Sequence, residues 1–377
     1  MTGRNGAGAR SVNAKTTQIP KTTALDNVFS SQLNRVVTPQ PKPGTVNLTA
    51  QSQTDVLLNM NDLLDEVYKV VDEAERTKSY HLADRLIEIA QKIDPQRSDI
   101  DQLLLSNWKR SFKTRRLVGR WTEANLQLLQ KMAANFTYKT GSESPKIFTY
   151  WHDGFNNAPA IVKTCHASLQ ANASLTVVAL DEASLSEIKE ITPSIQTNIA
   201  NNQAFLTDLA RVLLLAHFGG IWVDATCLVT QKLPDLQKLT SDKGFFTFRD
   251  IGLKGRISNW FLAATPRSYV ATMMSVALIH YWQNDTRFSQ YSFFHDIFES
   301  LYLLDERFRN EVEKSIVLDR VPPHQLQKLL HRPYSRQTFE TLINTYPVHK
   351  LTHKIDDTAK NKGSMLSHIL ASEAYKA

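Results

Sequence analysis

Asp224 is the acidic residue whose position in the sequence most clearly suggests chemistry. It follows Ile221, Trp222 and Val223, an apolar run typical of a buried strand. In open α/β sheets, ligands bind outside the carboxyl ends of the strands, so a polar residue at such an end is a site candidate. A carboxylate there needs a cation, a partner or solvent to offset its burial. We expect Asp224 either to face a divalent ion or to cap a turn or pair with a core arginine.

A second pair of polar residues precedes this run on a predicted helix. Asp208 and Arg211 are three residues apart, and this spacing makes them neighbours on one helix face. Together they can hold the hydroxyl groups of a sugar, or they can form an ordinary intrahelical ion pair. Their position just before the GGIWVD segment favours a shared site with Asp224.

The elements that must position these residues begin after residue 144. Alternation and composition predict strands in KIFTYW, SLTVVAL, IWVDATCLV, GFFTFR and SNWFLAA. Apolar periodicity predicts helices over residues 158–170, 183–190 and 204–218, and Gly219 and Gly220 end the last of these. Helices dominate from residue 267 onward. Strands that alternate with helices indicate an α/β fold with a mainly parallel sheet covered on both faces.

Composition divides the 377 residues into four regions. Residues 1–50 are poor in large apolar side chains, which is typical of a disordered arm. Residues 51–140 are predicted to form a helical accessory region, with two amphipathic helices followed by a basic segment around Trp108, Phe112 and Trp121. That segment suits either an anionic membrane surface or a helix face docked on the core. The main domain spans residues 141–360, and residues 361–377 form a C-terminal tail.

The bulk composition excludes several classes of protein. With 42% hydrophobic and 21% charged residues, the chain has the composition of an ordinary globular protein. Cys165 and Cys227 are its only cysteines, so neither a disulfide framework nor a cysteine metal motif is indicated. The start has no apolar segment typical of a secretory signal, and polar residues interrupt the apolar stretch 209–229. We therefore expect a cytoplasmic protein whose membrane contact is peripheral.

The net charge of +7 suits an anionic lipid surface, a nucleic acid or a phosphorylated small molecule. The basic residues are not accompanied by a recognised nucleic-acid-binding motif, so we expect no nucleic-acid partner. The charge therefore favours two partners, which are anionic lipid on the inner face of the membrane and a phosphorylated ligand.

Five segments together resemble the capsular polysaccharide synthesis proteins, relatives of glycosyltransferase family 32. They occur in the family's order between about residues 145 and 354, and they read PKIFTYWHDG, TDLARVLLLAHFGGIWVDAT, ISNWFLAA, YSFFHDIF and YPVHKLTHK. The resemblance implies a GT-A fold, a Rossmann-like sheet that binds a nucleotide-sugar, usually a UDP-sugar, together with a divalent metal. In this chain the GT-A domain would carry an N-terminal α-helical extension and a helical C-terminal part.

The resemblance also implies roles for individual residues. Trp151 would stack on the uracil ring, unless it is a buried strand tryptophan. Asp208 and Arg211 would hold the donor sugar. Asp224 would be the first acidic residue of the D-x-D motif, which contacts the ribose and the metal-bound diphosphate. Asp208, Arg211 and Asp224 are therefore the expected catalytic residues.

The metal site departs from the pattern of glycosyltransferase family 32, because Thr226 occupies the position of the second aspartate, as is often so in the capsular-synthesis relatives. Magnesium and manganese favour oxygen ligands, and Mg²⁺ keeps several waters while it binds substrate phosphates. Asp224, Thr226 and the diphosphate can then still suffice. His295 or Asp296 is a further candidate ligand, although His295 can equally pack on neighbouring aromatic rings. The expected cofactor is Mn²⁺ or Mg²⁺, with Asp224, Thr226 and His295 as its ligands.

Two further segments match the donor site of the family. Asn259 and Trp260 would contact the diphosphate, unless Trp260 belongs to a core strand. His349, Lys350 and Lys354 would neutralise the leaving diphosphate, a role that positioned cations play in transition states. The alternative is a solvated basic tail.

The expected activity is transfer of a hexose from a nucleotide-sugar to a glycan or lipid-linked acceptor in capsular or surface polysaccharide synthesis, with retention of configuration. Gly252 and Gly255 lie in residues 250–258, which are expected to form a lid. The alternative is a non-catalytic adaptor or membrane-associated binding protein with a degenerate GT-A domain. Thr226 is the residue that favours this alternative.

Overall fold

A computed structural model describes Lys69 and residues 113–139, 144–186, 188–199, 202–240, 244–249, 257–284, 292–355 and 361–372. The predicted arm at residues 1–50 lies outside the described residues. So do the two predicted accessory helices, apart from Lys69, and the glycines of the expected lid, Gly252 and Gly255.

Eight strands form two sheets in the described part of the chain. Their bounds are β1 Lys146–Tyr150, β2 Val177–Leu180, β3 Gly220–Val223, β4 Cys227–Val229, β5 Phe245–Arg249, β6 Ile257–Ala264, β7 Leu318–Asp319 and β8 Val348–Lys350. The main sheet has the order β2-β1-β3-β6-β5-β7. β1 runs parallel to β2 and β3, and β5 runs parallel to β7. β6 is antiparallel to both of its neighbours. The predicted mainly parallel sheet is confirmed, with β6 as its reversed strand.

β4 and β8 form a separate antiparallel sheet, which corrects one prediction. The segment IWVDATCLV is not a single strand, because β3 ends at Val223 and β4 begins at Cys227. The N–H of Cys227 donates to the carbonyl oxygen of Asp224 at 2.9 Å and closes the turn between them. Both flanking segments are buried, so their apolar pattern runs on through the turn and conceals it.

Helices cover the sheets. Their bounds are α1 Lys113–Ala134, α2 Ala160–Asn172, α3 Glu182–Ser186, α4 Pro193–Asn198, α5 Gln203–Phe218, α6 Leu236–Thr240, α7 Tyr269–Asn284, α8 Phe293–Leu304, α9 Glu306–Glu313, α10 Gln325–Lys328, α11 Arg336–Thr345 and α12 Met365–Ala371. On one face of the main sheet, α5 contacts β1, β3 and β6, and α7 packs on α5. α1 packs against α7 and α8 in the same layer. α2 contacts β4, and α6 contacts β5 and β6. The fold is thus α/β with two helical layers.

α5 is bounded by a polar cap and by two glycines. The side chain of Asn202 accepts a hydrogen bond from the N–H of Ala204 at 3.0 Å, which satisfies one of the helix's open donors. Gly219 ends the helix with a φ of 64°. Gly220 has a φ of 106°, and a Cβ there would collide with the backbone oxygen of Lys146 on β1. Only glycine therefore lets β3 lie this close to β1 directly after α5.

α1 belongs to the predicted accessory region, yet it shares the core of the main domain. Its residues Val118, Leu129 and Ala133 are buried in the same apolar cluster as α5, α7 and α8. Trp121 packs edge-on against Tyr281, with ring centroids 5.2 Å apart. The core-docked interpretation therefore holds for this tryptophan of the basic segment. No helix in the described ranges is long and apolar enough to span a membrane.

Candidate active site

A cavity of about 340 Å³ lies at the carboxyl ends of β1 and β3. This is where ligands bind in open α/β sheets, and the volume falls within the range of small-molecule pockets. Its walls come from the end of β1, the first half of α5, the turn after β3, Asn259 on β6 and the end of β8. Seven of the predicted site residues line it: Trp151, Asp208, Arg211, Asp224, Thr226, Asn259 and Lys350.

Asp224 and Lys350 form an ion pair in this cavity. The Lys350 ammonium donates to Asp224 Oδ2 at 2.8 Å and to Thr226 Oγ1 at 2.7 Å. The other carboxylate oxygen of Asp224 accepts a hydrogen bond from Trp222 Nε1 at 2.9 Å. Burial alone would raise the pKa of Asp224, but Lys350 and Arg211 outweigh it and lower that pKa. Asp224 is therefore ionised and already paired.

Strand pairing brings Lys350 to Asp224 across 126 positions of sequence. On the small sheet Lys350 pairs with Cys227, and the N–H of Leu351 donates to the carbonyl oxygen of Thr226 at 2.9 Å. The turn after β3 and the end of β8 are thereby fixed to each other. Burial opposes the charge of Lys350, but Asp224 raises the pKa of the ammonium overall. Lys350 is therefore a fixed positive charge at the cavity wall.

His349 was expected to bind the donor, and the structure places it elsewhere. Successive residues of a strand point to opposite faces, so Lys350 faces the cavity and His349 faces the core. His349 is only 1% exposed, and among the described residues neither ring nitrogen has a hydrogen-bond partner of good geometry. Burial lowers the pKa of His349 to about 4. It is therefore a neutral core residue.

Arg211 ties α5 to the two strands beside it. Its guanidinium lies 3.2 Å from Asp208 Oδ1 and 3.7 Å from Asp224 Oδ1. It also donates to the carbonyl oxygens of Asn259 at 2.6 Å and Thr207 at 3.3 Å. The indole of Trp222 lies beneath it, 5.3 Å from the ring centroid to the guanidinium carbon. Arg211 thus holds α5, β6 and the turn after β3 together at the floor of the cavity.

Asp208 completes this floor. It accepts a hydrogen bond from Asn259 Nδ2 at 3.0 Å, so a residue of α5 and a residue of β6 are joined within the cavity. Burial raises the pKa of Asp208 to about 6, although Arg211 and Asn259 oppose the shift. The structure thus brings Asp208, Arg211 and Asn259 together near Asp224. Their contact with a sugar stays a prediction.

Trp151 follows the last residue of β1 and forms one side of the cavity. Its Nε1 is buried and has no hydrogen-bond partner in the described part of the chain. His353 packs edge-on against its ring, with centroids 5.2 Å apart. Buried donors without partners are uncommon, and they occur where a ligand or water completes the site. This position suits the predicted stacking on a base.

Two predicted site residues lie outside the cavity lining. Trp260 is 4% exposed and stacks on Phe248, with ring centroids 4.9 Å apart, in the cluster on the opposite side of the sheet. His295 lies in the first turn of α8, where burial, with Arg211 and Arg320 nearby, lowers its pKa to about 4. Neither Trp260 nor His295 is among the residues that line the cavity, so the structure does not bring them together with the other predicted site residues there.

The side chains present do not fit the expected Mn²⁺ or Mg²⁺. The side-chain oxygens of Asp224 and Thr226 both bind the Lys350 ammonium. A divalent cation bound by these two oxygens would have to share its position with a positive charge. Asp296, the other candidate ligand, accepts a hydrogen bond from Ser292 at 3.0 Å and does not line the cavity. No group of three or more His, Cys, Asp or Glu suited to a metal occurs within the described ranges.

Sequence reasoning missed several residues that line the cavity. They are Tyr150, His152 and Asp153 beside Trp151, Gln203 and Ala204 at the start of α5, Ala225, and His353. The hydroxyl of Tyr150 donates to Gln203 Oε1 at 2.9 Å and links the end of β1 to α5. The strand-end rule that singles out Asp224 could have found Tyr150, His152 and Asp153, because they surround the carboxyl end of β1. The position of His353 depends on the fold of β8.

The fold and the cavity define an α/β protein with a polar ligand site at the carboxyl ends of its central parallel strands. Residues 125–369, more than half of the chain, match the family described as capsular polysaccharide synthesis protein. The chain belongs to that family. The resemblance found in the sequence is thereby confirmed.

One solved structure is distantly similar to the chain. A solved structure titled PaToxG Glycosyltransferase is 14% identical and covers 62% of this chain and 94% of that chain, with a TM-score of 0.30. No curated protein sequence matches the chain. Residue roles are therefore taken from the cavity itself.

Proposed function

We propose that the chain is a glycosyltransferase with a GT-A fold, and that it transfers a hexose from a UDP-sugar to a glycan or lipid-linked acceptor in capsular or surface polysaccharide synthesis. One observation carries the proposal. Asp224 and Lys350 meet at the carboxyl end of β3, in a cavity whose other wall is Trp151. A carboxylate, a fixed cation and an aromatic face suit the ribose, the diphosphate and the base of one nucleotide. Family membership supports the same substrate class.

The donor would lie across the cavity from β1 to β8. The uracil ring would stack on Trp151, whose unpartnered Nε1 gives it a donor as well as an aromatic face. The diphosphate would lie against Lys350. The hexose would then reach Asp208, whose carboxylate is aligned by Asn259 and can accept hydrogen bonds from sugar hydroxyls.

The transfer step forms one bond at C1 of the sugar and breaks another. The acceptor oxygen attacks C1 of the sugar while the bond from C1 to the diphosphate oxygen breaks, and the bonding electron pair leaves with the nucleoside diphosphate. Attack on the same face as the leaving group retains configuration, and the departing oxygen then accepts the proton of the acceptor hydroxyl. Lys350 stabilises the negative charge that grows on the diphosphate.

Donor screening tests the proposal. The protein is incubated with individual UDP-sugars and a mixture of lipid-linked and soluble acceptors, and nucleotide release and glycosylated product are measured by mass spectrometry. We expect at least one donor to give UDP and a product heavier by one hexose. Asp224→Asn should lower this rate by about 100-fold or more, in line with the loss of a positioned charged group. Release of no nucleotide from any donor would contradict the proposal.

A non-catalytic adaptor is the second candidate, because Asp224 is already neutralised by Lys350 and a second motif aspartate is replaced by Thr226. The two candidates differ in turnover. An adaptor binds UDP or a glycan without consuming a donor, and its Asp224→Asn variant behaves like the original chain in the donor screen.

We also propose that the protein works in the cytoplasm, on the inner face of the membrane. The net charge of +7 favours anionic lipid, on which a lipid-linked acceptor would be presented. Co-sedimentation with anionic vesicles at low salt tests this location. Protein that remains in the supernatant would contradict it.

A further inference from the structure

Two of the three residues expected to hold a metal, Asp224 and Thr226, are bridged by one ammonium group. Lys350 Nζ lies 2.8 Å from Asp224 Oδ2 and 2.7 Å from Thr226 Oγ1. These are lengths of good hydrogen bonds, so the ammonium sits between the two oxygens. It occupies the position where a cation bound by both side chains would have to lie.

The remaining oxygen of Asp224 is also engaged. It accepts a hydrogen bond from Trp222 Nε1 at 2.9 Å, and the guanidinium of Arg211 lies 3.7 Å away. Both oxygens of this carboxylate therefore face positive or hydrogen-bonding groups that the fold holds in place. A divalent cation that bound Asp224 here would lie next to the ammonium of Lys350, and the two positive charges would repel each other.

The charges balance without a metal. Two carboxylates with one divalent cation sum to zero, and so does one carboxylate with one ammonium. In this chain the neutral Thr226 occupies the second motif position, and Lys350 lies beside the carboxylate of Asp224. The charge of Asp224 is thus balanced by Lys350, next to a neutral residue at position 226.

Lys350 also retains the capacity to bind a ligand. An ammonium group has three donors, of which Asp224 and Thr226 take two in the structure. Its side chain is 19% exposed and lines the cavity, so the remaining N–H can reach a phosphate oxygen there.

We propose that Lys350 takes the place of the divalent cation, so that the diphosphate of the donor binds directly to this ammonium and neither binding nor transfer requires a metal. This inference rests on the proposed function, because it concerns how the same cavity holds a nucleotide diphosphate.

The test uses the full chain and UDP as the probe. UDP affinity is measured by isothermal titration calorimetry in buffer with EDTA and in metal-depleted buffer supplemented with Mn²⁺. The signal of free Mn²⁺ is followed in parallel by electron paramagnetic resonance with the protein alone. We expect the two UDP dissociation constants to agree within threefold, and we expect no stoichiometric loss of the free Mn²⁺ signal.

Two variants sharpen the test. Lys350→Met keeps the length of the side chain but removes the charge, and it should weaken UDP binding in EDTA at least tenfold. Lys163→Met is the matched control, because Lys163 is exposed on α2 and does not line the cavity, and its UDP affinity should stay within twofold. The double variant Thr226→Asp/Lys350→Met restores two carboxylates and removes the ammonium. The double variant should bind Mn²⁺, and its UDP binding should require Mn²⁺. This prediction can be tested even if the single variant Lys350→Met fails to fold.

The outcomes separate the inference from the function on which it rests. UDP binding that strengthens tenfold or more with Mn²⁺ in the original chain, or one Mn²⁺ bound per chain, would overturn the inference and leave the glycosyltransferase proposal standing. Absence of UDP binding in both buffers would overturn the nucleotide site and the inference together.

Discussion

Replacing Arg211 with methionine should destabilise the fold by about 3 to 5 kcal/mol, the usual cost of removing one partner from a buried ion pair. The side chains of Arg211 and Asp208 are 6% and 9% exposed. Methionine fills similar space but leaves Asp208 without its cation and Asp224 with Lys350 alone. The variant therefore measures the scaffold role of the arginine, separately from any contact with a ligand.

The magnitude follows from the interactions that Arg211 makes. It donates to the carbonyl oxygens of Asn259 and Thr207, which hold α5 against β6, and a buried acceptor left unsatisfied costs about 1 to 3 kcal/mol. Without the arginine, the Asp208 carboxylate has no charge partner, and its pKa, already raised to about 6 by burial, should rise further. Protonation of Asp208 then limits the destabilisation, so the variant should be relatively more stable at pH 5 than at pH 8.

Urea unfolding monitored by tryptophan fluorescence gives the free energy of unfolding. Arg336→Met is the matched control, because Arg336 and Glu340 also form an intrahelical pair, 2.7 Å apart, but their side chains are 81% and 49% exposed. Its urea midpoint should not change, since exposed pairs are screened by water. In the double variant Asp208→Leu/Arg211→Met the destabilisation should be smaller than the sum of the two single effects. A destabilisation below about 1 kcal/mol in Arg211→Met would refute the buried-pair reasoning.

Three further predictions concern other parts of the structure. Trp151→Ala should weaken UDP binding by about 5- to 150-fold in calorimetry, because stacking of a base on an aromatic ring contributes about 1 to 3 kcal/mol. Trp260→Phe, on the opposite face of the sheet, should leave the affinity unchanged. Gly220→Ala should lower the free energy of unfolding by more than about 3 kcal/mol, because the new Cβ would collide with the Lys146 backbone. Gly363→Ala is the control, since Gly363 has open space around it, and it should lower the free energy of unfolding by only about 1 kcal/mol. Equal effects of the two substitutions would contradict this explanation. The pKa of His349 is lowered to about 4 from 6.5, so the unfolded chain binds more protons between these values and stability falls as pH falls. Acidification from pH 7 to pH 5 should therefore lower the free energy of unfolding by about 2 kcal/mol through His349. A His349→Gln variant whose stability has the same pH dependence as that of the original chain would contradict this prediction.

Local pattern predicts the parts of the site that depend on one element. The periodicity of α5 and its two glycines fix the helix to within one residue, since prediction gives residues 204–218 and the structure gives Gln203–Phe218. The same pattern places Asp208 and Arg211 on one face. The strand-end rule places Asp224 at the edge of the sheet, and this position is confirmed by the cavity. Spacing along a single element suffices for these residues.

The sequence is less informative where distant segments meet. Apolar residues continue through the turn after Asp224, so hydrophobicity alone does not show that β4 leaves the main sheet to pair with β8. The face of β8 that meets the cavity depends on this pairing, and for that reason Lys350 and His349 cannot be told apart from sequence. Trp260 is misplaced for a related reason, because burial on the opposite side of β6 depends on the aromatic partner Phe248.

A crystal structure of the chain soaked with UDP and Mn²⁺ tests the central claim most directly. We predict UDP in the cavity at the ends of β1 and β3, with its uracil on Trp151 and its diphosphate within hydrogen-bond distance of Lys350 Nζ. UDP bound away from Trp151 and Lys350, with the cavity empty, would contradict it.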